Sequence, residues 1–371
     1  MPEQIVDYDI WRIELPVGRT IGDNMCRYSE FTVFVLALKT DQGHQGWGFG
    51  ELVTDGVFQK PAPWYKPMAS LGEIRSTFEH LYWPLLKDSN SMEIKNRRPS
   101  PFGSSDYIHM AIRKSLWDLM GKEADLPLHR LLGSTKENNH VRAYGSPLAF
   151  HQSDEDTLEM HQHCVNQGMT AVKVKVGHSD PEWDVRRLQL VRQAVGPSVE
   201  INIDANIAWT AQKAIERIET FRRAGIELGY VEDPIRPDDV EGYRLLGQEL
   251  PIDVAGHDYI SDPEGYRPLL DVGGIQRLRF HDDLDHAIAV SRLGEEYNLP
   301  VIGCNTLFEV GIHAAVALPN IERIEFADLG WNTLPEHPVR VEDGYMFAPD
   351  RPGAGLDPKL ELLEELSCSQ K

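Results

Sequence analysis

The run Ala171-Val172-Lys173-Val174-Lys175-Val176-Gly177 places two lysines within a β-branched apolar stretch that ends at a glycine. Its composition predicts a β-strand, in which side chains two residues apart point to the same face. Lys173 and Lys175 therefore share one face. Two ammonium groups on a buried strand are costly unless a carboxylate, a metal site or a substrate meets them. The run indicates either the cationic half of a buried site or an edge strand with a solvated charged face.

Composition and charge exclude several classes of protein. The chain has 371 residues, of which 41% are hydrophobic, and a formal net charge of −21. This charge argues against nucleic acid and anionic membranes as partners, and no apolar run is long enough to span a membrane. The acidic N-terminus lacks the features of a secretory signal, and four widely spaced cysteines fit a reducing compartment. We therefore expect a cytoplasmic protein.

The sequence pattern changes twice along the chain. Residues 1–60 alternate as in an antiparallel meander, and residues 72–133 show helical periodicity, with a polar loop predicted at 88–104. From residue 140 onward, eight short apolar strands alternate with seven amphipathic helices, which predicts a parallel α/β barrel rather than a doubly wound sheet. The predicted domains are residues 1–135, a barrel over 136–340, and a C-terminal segment, 341–371, that returns to the first domain.

Acidic residues stand at the predicted ends of three successive barrel strands. Asp204, Glu232 and Asp258 follow one another at intervals of about one strand–helix unit. The ends of neighbouring strands lie about 4.8 Å apart, so the three carboxylates can converge on one cation. Three carboxylate oxygens suit Mg²⁺. A single such acid could equally cap the following helix, but three of them beside a Lys-x-Lys pair predict a metal site.

With these motifs the chain resembles the enolase superfamily, in its mandelate racemase/muconate lactonizing enzyme branch. The resemblance implies a modified (β/α)7β TIM-like barrel with an α+β N-terminal capping domain. It also implies Mg²⁺ held by three acids, removal of a proton α to a carboxylate, a small-molecule carboxylate as the partner, and a homo-oligomer. The stretches that carry it are Lys173-Val174-Lys175, Asp204-Ala205-Asn206, Val231-Glu232-Asp233-Pro234, residues 111–133, Gly48-Phe49-Gly50-Glu51 and Pro352-Gly353-Ala354-Gly355.

The resemblance implies a role for each candidate residue. Lys175 is the base, while Lys173 lowers the pKa of Lys175 and contacts the substrate carboxylate. Glu325 matches an eighth-strand acid that could donate a hydrogen bond to that carboxylate, the alternative being an ion pair at the bottom of the barrel. We expect Asp258 to be the third metal ligand because Mg²⁺ prefers oxygen. His257 could instead bind the metal, act as a catalytic acid, or only hydrogen-bond the carboxylates.

Two strand ends depart from the family pattern. The sixth strand, 276–280, has no lysine, and Thr306 stands after the seventh strand where relatives carry a histidine; Asp282 could match the acid that pairs with it. The sequence identifies a base on only one side of the site, that of the lysines. We therefore expect a reaction that needs a base on one face of the substrate only, namely dehydration of a sugar acid (aldonate or aldarate) to a 2-keto-3-deoxy acid. The alternatives are a racemase, epimerase or cycloisomerase of the same family, with His257 or His281 as second acid, and a catalytically reduced barrel that only binds a metal or an acid.

The polar stretch 18–27, with a glycine-containing loop at 17–24, could be a simple hairpin connection or a mobile flap over this site. Arg19, Arg27 and Tyr28 could contact a distal carboxylate or hydroxyl group of the substrate. Equally, the arginines could be ordinary surface charges. The sequence leaves these two interpretations open.

Overall fold

The computed structural model describes residues 2–53, 57–58, 68–96, 107–135, 137–280, 284–304 and 310–368. In the N-terminal part, strand β2 pairs with β1, β3 and β4, all antiparallel, as the predicted meander requires. Helices cover one face of this sheet. The strands are β1 (Ile5–Gly22), β2 (Cys26–Thr40), β3 (Gln45–Val53) and β4 (Val57–Phe58). The helices are α1 (Leu71–Thr77), a π-helical turn (Phe78–Tyr82), α2 (Trp83–Leu86), α3 (Ser91–Asn96), α4 (Tyr107–Glu123) and α5 (Leu128–Leu131).

The loop predicted at 88–104 is wrong in its first half, because α3 lies within it. Ser91 and Ile94 of this helix are buried, and the Ser91 hydroxyl donates a hydrogen bond to Glu123 on α4. Packing against α4 therefore forms a helix from a stretch whose composition is that of a loop.

Eight parallel strands form the predicted barrel, and its last strand, β12, pairs with its first, β5. The hairpin β13–β14 extends the sheet, because β14 pairs antiparallel with β5. The strands are β5 (His140–Gly145), β6 (Ala171–Lys175), β7 (Glu200–Asp204), β8 (Tyr230–Glu232), β9 (Asp253–Gly256), β10 (Arg277–Phe280), β11 (Val301–Gly303), β12 (Ile321–Phe326), β13 (Arg340–Glu342) and β14 (Tyr345–Phe347).

Helices alternate with these strands, as the sequence predicts. Several begin where a polar side chain accepts a hydrogen bond from the first turn, as Ser153, Asp180 and Thr210 do. Within the described ranges no helix is both long and apolar enough to cross a membrane. The helices are α6 (Asp154–Asn166), α7 (Pro181–Val195), α8 (Ala211–Arg223), α9 (Val240–Glu249), a 3-10 turn (Pro263–Tyr266), α10 (Arg267–Asp271), α11 (Leu284–Tyr297), α12 (Gly311–Ala317), a 3-10 turn (Trp331–Thr333) and α13 (Leu360–Cys368).

The C-terminal segment contacts the N-terminal part after it leaves the barrel. The Gly353 amide donates to the Leu126 carbonyl at 3.0 Å, and the Ala354 amide donates to Asp118 Oδ1 at 2.7 Å. A Cβ on Gly353, whose φ is +74°, would overlap the Asp118 carboxylate, so this close approach requires glycine. These contacts support the proposed return of segment 341–371 to the first domain.

Alternating glycines on β3 let helix α4 lie directly on the sheet. Gly46, Gly48 and Gly50 share one face of the strand, and a Cβ on any of them would overlap a backbone carbonyl oxygen of α4. The intervening Trp47 and Phe49 are buried on the other face. The glycine spacing thus fixes how the helical layer sits on the antiparallel sheet.

We expect Gly48→Ala to lower the free energy of unfolding by about 1–3 kcal/mol, because the added methyl group must displace the backbone of α4. Gly72→Ala in α1 is the matched control, since a Cβ there meets nothing within 4 Å, and alanine should be neutral or slightly stabilising. Urea unfolding of both variants measures the difference. Wild-type stability of Gly48→Ala would contradict the close packing.

Two fully buried histidines should make the fold sensitive to acid. Burial lowers the pKa of His161 to about 4 and that of His313 to about 3. His313 Nδ1 accepts the His129 amide at 3.2 Å and its Nε2 lies 3.0 Å from the Ala354 carbonyl oxygen, an arrangement that only the neutral ring can keep. Below the unfolded-state pKa of about 6.5, the unfolded chain therefore binds protons that the folded chain does not.

The free energy of unfolding should accordingly fall as the pH decreases from about 6.5 to about 4, by up to about 1.4 kcal/mol per pH unit for each histidine. Chemical unfolding across this range should give a shallower slope for His313→Gln than for the wild type. His80→Gln, at an exposed position, is the control and should keep the wild-type slope. An unchanged slope in His313→Gln would refute the role given to His313.

Candidate active site

The strand register of the barrel brings two lysines and two acids together. Lys175 on β6 stands beside Asp204 on β7, and Asp204 stands beside Glu232 on β8. Lys173 lies two residues before Lys175 and points to the same side. Their exposed fractions are 2% for Lys173 and 7% for Lys175. The edge-strand interpretation is wrong, because β6 pairs with both β5 and β7.

Both lysines form buried ion pairs with the acids. Lys175 Nζ lies 2.5 Å from Asp204 Oδ2. Lys173 Nζ lies 2.6 Å from Glu232 Oε1, 3.0 Å from Glu325 Oε2 and 3.5 Å from Asp204 Oδ2. Three carboxylates thus offset the free-energy cost that is predicted for two ammonium groups on a core strand.

The acids change the expected pKa of the lysines. Burial lowers the pKa of Lys175, and Lys173 lowers it further as predicted, but the carboxylates of Asp204, Asp23 and Glu325 together outweigh both and the net shift is upward. The pKa of Lys173 is also raised, because Glu232, Glu325 and Asp204 outweigh burial and a neighbouring arginine. The predicted lowering of the Lys175 pKa by Lys173 is therefore confirmed, but the surrounding acids decide the net direction of the shift. A cation that took up the Asp204 charge would lower the pKa of Lys175.

A cluster of three carboxylates lies beside the lysines. Oxygen atoms of Asp204, Glu232 and Asp233 all lie within 4.8 Å of one another, and the three side chains are buried. Sequence reasoning missed Asp233, because neighbouring residues of an extended strand point to opposite faces. The backbone at Asp233 has φ of +45°, outside the strand conformation, so both side chains face the cluster. Aspartate tolerates this conformation better than most residues, and its place directly after the strand could have indicated the turn.

The cluster fits a divalent cation. Burial raises the pKa of Glu232 and of Asp233, and the neighbouring acids raise both further. Asp233 Oδ1 is buried and accepts no hydrogen bond from the part of the chain that the structure describes. A buried carboxylate oxygen without a donor, crowded against two other carboxylates, is suited to a hard cation such as Mg²⁺. Asp204, Glu232 and Asp233 would hold that ion.

Asp258 lies beside this cluster rather than within it. The residue of β9 that stands beside Glu232 is Ala255, so Asp258 follows three residues later, beyond the strand end. Asp258 Oδ1 lies 3.0 Å from Arg279 Nε and accepts a hydrogen bond from the Cys304 thiol at 2.9 Å. The assignment of Asp258 as a metal ligand stays a prediction.

His257 is fully buried behind Asp233. Its Nδ1 lies 3.4 Å from Asp233 Oδ1, and its Nε2 lies 3.2 Å from the Ile235 carbonyl oxygen. Because Nδ1 accepts a hydrogen bond from the Tyr259 amide at 3.2 Å, it has no proton to donate to Asp233, and the roles expected for His257 stay predictions.

Arg279 on β10 is the main residue of the site that sequence analysis missed. It is 1% exposed, and its guanidinium group contacts five polar side chains. The signal was available, because Arg277-Leu278-Arg279 repeats the spacing of the two lysines in another apolar strand. The contacts are Asp258 at 3.0 Å, Glu232 at 2.8 Å, Glu325 at 2.9 Å, the Tyr144 hydroxyl at 2.8 Å and Cys304 Sγ at 2.9 Å.

Glu325 on β12 joins the network of Lys173 and Arg279. Burial raises the pKa of Glu325, but Lys173 and Arg279 outweigh burial and hold it well below its usual range. Glu325 therefore accepts hydrogen bonds here, including one from the Tyr144 hydroxyl at 3.1 Å, and a hydrogen bond from Glu325 to a substrate carboxylate stays a prediction. Its contact with Lys173 places it in the same network as Asp204 and Glu232.

The tip of the β1–β2 hairpin covers the ends of β6 and β7. Asn24 Nδ2 donates to the carbonyl oxygens of Val176 at 3.1 Å and of Ala205 at 2.5 Å. The loop expected at 18–27 is therefore wrong in extent, because β1 continues to Gly22 and β2 begins at Cys26. Tyr28 is buried, whereas Arg19 and Arg27 are exposed, which favours the surface-charge interpretation for both arginines. Three other candidates lie outside the described residues, namely His281, Asp282 and Thr306.

Comparison with known proteins agrees with this geometry. The family model described as "Enolase C-terminal domain-like" matches residues 156–362. A solved mandelate racemase-type protein from Mesorhizobium loti is 35% identical and has a TM-score of 0.90, covering 98% of this chain and 94% of its own. The L-talarate dehydratase of Polaromonas, solved with Mg and L-glucarate, has the same fold, with a TM-score of 0.81, 22% identity, and coverage of 98% and 97%.

Two relatives of this chain are enzymes with different reactions. Arabinonate dehydratase of Saccharolobus solfataricus is 27% identical over 68% of this chain and 70% of its own length. The 3,6-anhydro-alpha-L-galactonate cycloisomerase of Streptomyces coelicolor is 25% identical over 97% of this chain and 98% of its own. The carboxylate cluster of this chain fits the predicted Mg²⁺. Since the family model covers more than half of the sequence, the predicted resemblance is confirmed, and the chain belongs to the enolase superfamily, in its mandelate racemase/muconate lactonizing enzyme branch.

Proposed function

We propose that the chain is a Mg²⁺-dependent lyase that dehydrates a sugar acid, an aldonate or an aldarate, to a 2-keto-3-deoxy acid. The observation that carries the proposal is the buried pair Lys173 and Lys175, held against Asp204 and Glu232 at the C-terminal ends of the barrel strands. A dehydratase of arabinonate among the relatives supports a sugar acid as substrate.

Each part of the site has a separate task in this reaction. Mg²⁺ held by Asp204, Glu232 and Asp233 would supply positive charge to the substrate carboxylate and so make the α-proton more acidic. Lys173 adds a fixed ammonium charge where negative charge develops. Lys175 is the base, because it is the less deeply buried lysine of the pair.

The proposed reaction needs only one base. Lys175 Nζ removes the proton from C2, and the electron pair of that C–H bond forms a C2–C3 double bond. The C3–O bond breaks, and the departing hydroxyl leaves as water with a proton that Lys175 can return. The resulting enol becomes the 2-keto-3-deoxy acid by moving a proton from its hydroxyl to C3.

A library of acid sugars tests the proposal. The full chain with Mg²⁺ should convert at least one aldonate or aldarate to a product that semicarbazide detects as a 2-keto acid. Removal of the metal with a chelator should abolish this product, and restoring Mg²⁺ should return it. Failure of every acid in the library, with Mg²⁺ shown to bind, would refute the proposal.

An isomerase is the second candidate, because the cycloisomerase relative aligns with nearly the whole chain. An isomerase would remove the same proton without losing water. In deuterium oxide it would return substrate or isomer that carries solvent deuterium and would form no ketone. That outcome would favour the isomerase over the lyase.

A further inference from the structure

The acidic and basic side chains at the C-terminal ends of the barrel strands do not balance in charge. Five acids lie together there (Asp204, Glu232, Asp233, Asp258 and Glu325), and three cations contact them (Lys173, Lys175 and Arg279). Five carboxylates against three cations leave a formal excess of two negative charges. One divalent cation balances that excess, and each of the three basic side chains already contacts a carboxylate.

Asp23 adds another acid from outside the barrel. Its neighbour Asn24 is anchored to the carbonyl groups that directly follow Lys175 and Asp204, so the hairpin tip lies over the site. Asp23 Oδ1 accepts the amides of Met25 at 2.7 Å and Cys26 at 3.1 Å, which fixes the carboxylate at the tip. Burial raises the pKa of Asp23 and the charge of Lys175 lowers it, so the carboxylate lies within electrostatic reach of the base.

Among the described residues, the hairpin tip offers no positive charge that could balance a second carboxylate of a substrate. The arginines nearest in sequence, Arg19 and Arg27, are exposed. In the proposed reaction the reacting carboxylate would lie against Lys173 and the metal, and the other end of the substrate would extend past Lys175 toward the tip. A hydroxyl group there can donate a hydrogen bond to a carboxylate, whereas a second carboxylate would be repelled.

We infer that Asp23 selects the substrate class, so that the chain accepts a polyhydroxy monocarboxylate, an aldonate, and rejects the matching dicarboxylate, an aldarate. This inference rests on the proposed function, because it concerns the far end of the same substrate. Asp23 acts here as a specificity residue and takes no part in the proton transfer.

Matched pairs of acids test the inference on the full chain with Mg²⁺. Gluconate with glucarate, galactonate with galactarate, and arabinonate with arabinarate differ only at the far carbon. We expect kcat/KM for the preferred aldonate to exceed that for its aldarate by about a hundredfold. Calorimetric binding of each pair should show the same order, so the inference is tested even where no acid is turned over.

The variant Asp23→Asn removes the charge but keeps an oxygen that can accept the Met25 and Cys26 amides. We expect the ratio of kcat/KM for the aldonate to kcat/KM for the aldarate to fall at least about tenfold, because kcat/KM for the aldarate rises. Asp7→Asn, at an exposed position of β1, controls for net charge and should keep the wild-type ratio.

The outcomes separate this inference from the proposed function. Aldarates preferred over aldonates, or an unchanged ratio in Asp23→Asn, would overturn the role of Asp23 and leave a dehydratase intact. Preferential binding of aldonates without any 2-keto product would overturn the dehydratase and support Asp23. No binding of any acid would overturn both.

Discussion

Replacing Lys175 with methionine is expected to lower kcat on every acid that the wild type turns over by at least about a hundredfold. Methionine keeps the apolar stem of the side chain but removes the amine that takes the proton, and a general base is worth about 10²–10⁴ in rate. Initial rates of 2-keto acid formation measure the loss.

Two further variants separate loss of the base from loss of the fold. Lys175→Arg keeps a positive charge beside Asp204 but cannot act as a base near neutral pH, so it should be as inactive as Lys175→Met and more stable. Lys213→Met removes an exposed lysine on α8 and should keep wild-type activity. Full activity of Lys175→Met would show that a group other than Lys175 takes the proton.

The second large effect is expected at Arg279. Arg279→Gln removes a buried cation from Glu232, Asp258 and Glu325 and leaves those acids partly unpaired. We expect the free energy of unfolding to fall by about 3–5 kcal/mol, because uncompensated buried charge is costly. Urea unfolding of the metal-free protein measures the change.

Arg277→Gln is the matched control, two residues earlier on the same strand. Its partners Asp253 and Glu322 have side chains that are 42% and 32% exposed, so its ion pairs are partly solvated. We expect a loss of about 1 kcal/mol or less. Equal losses for the two variants would show that the contacts of Arg279 with the site acids stabilise the fold no more than the partly solvated ion pairs of Arg277 do.

The barrel was predictable because its signals are local. Alternation of short apolar strands with capped amphipathic helices specifies one unit after another, and the helix starts at Ser153 and Thr210 are set by neighbouring residues. Lys175, Asp204 and Glu232 were predictable for the same reason, since each ends a strand and the ends of parallel strands meet at one edge.

The third member of the carboxylate cluster could not be obtained from spacing. Asp258 has the expected interval, but the register of β9 places Ala255 beside Glu232. In a continuing strand Asp233 would point to the face opposite Glu232. Its left-handed backbone conformation instead turns its side chain into the cluster. Register and backbone turns depend on how the whole barrel closes, and a single strand does not encode them.

The sequence by itself determined that two lysines share a face and that acids follow in the next strands, because alternation and strand order are properties of the chain. Only the tertiary structure decided which charges surround that face. Arg279 on β10 contacts acids from three other strands, and the hairpin tip brings Asp23 within electrostatic reach of Lys175. Electrostatic interactions depend on distances in space, so they become known only when segments far apart in the sequence are folded together.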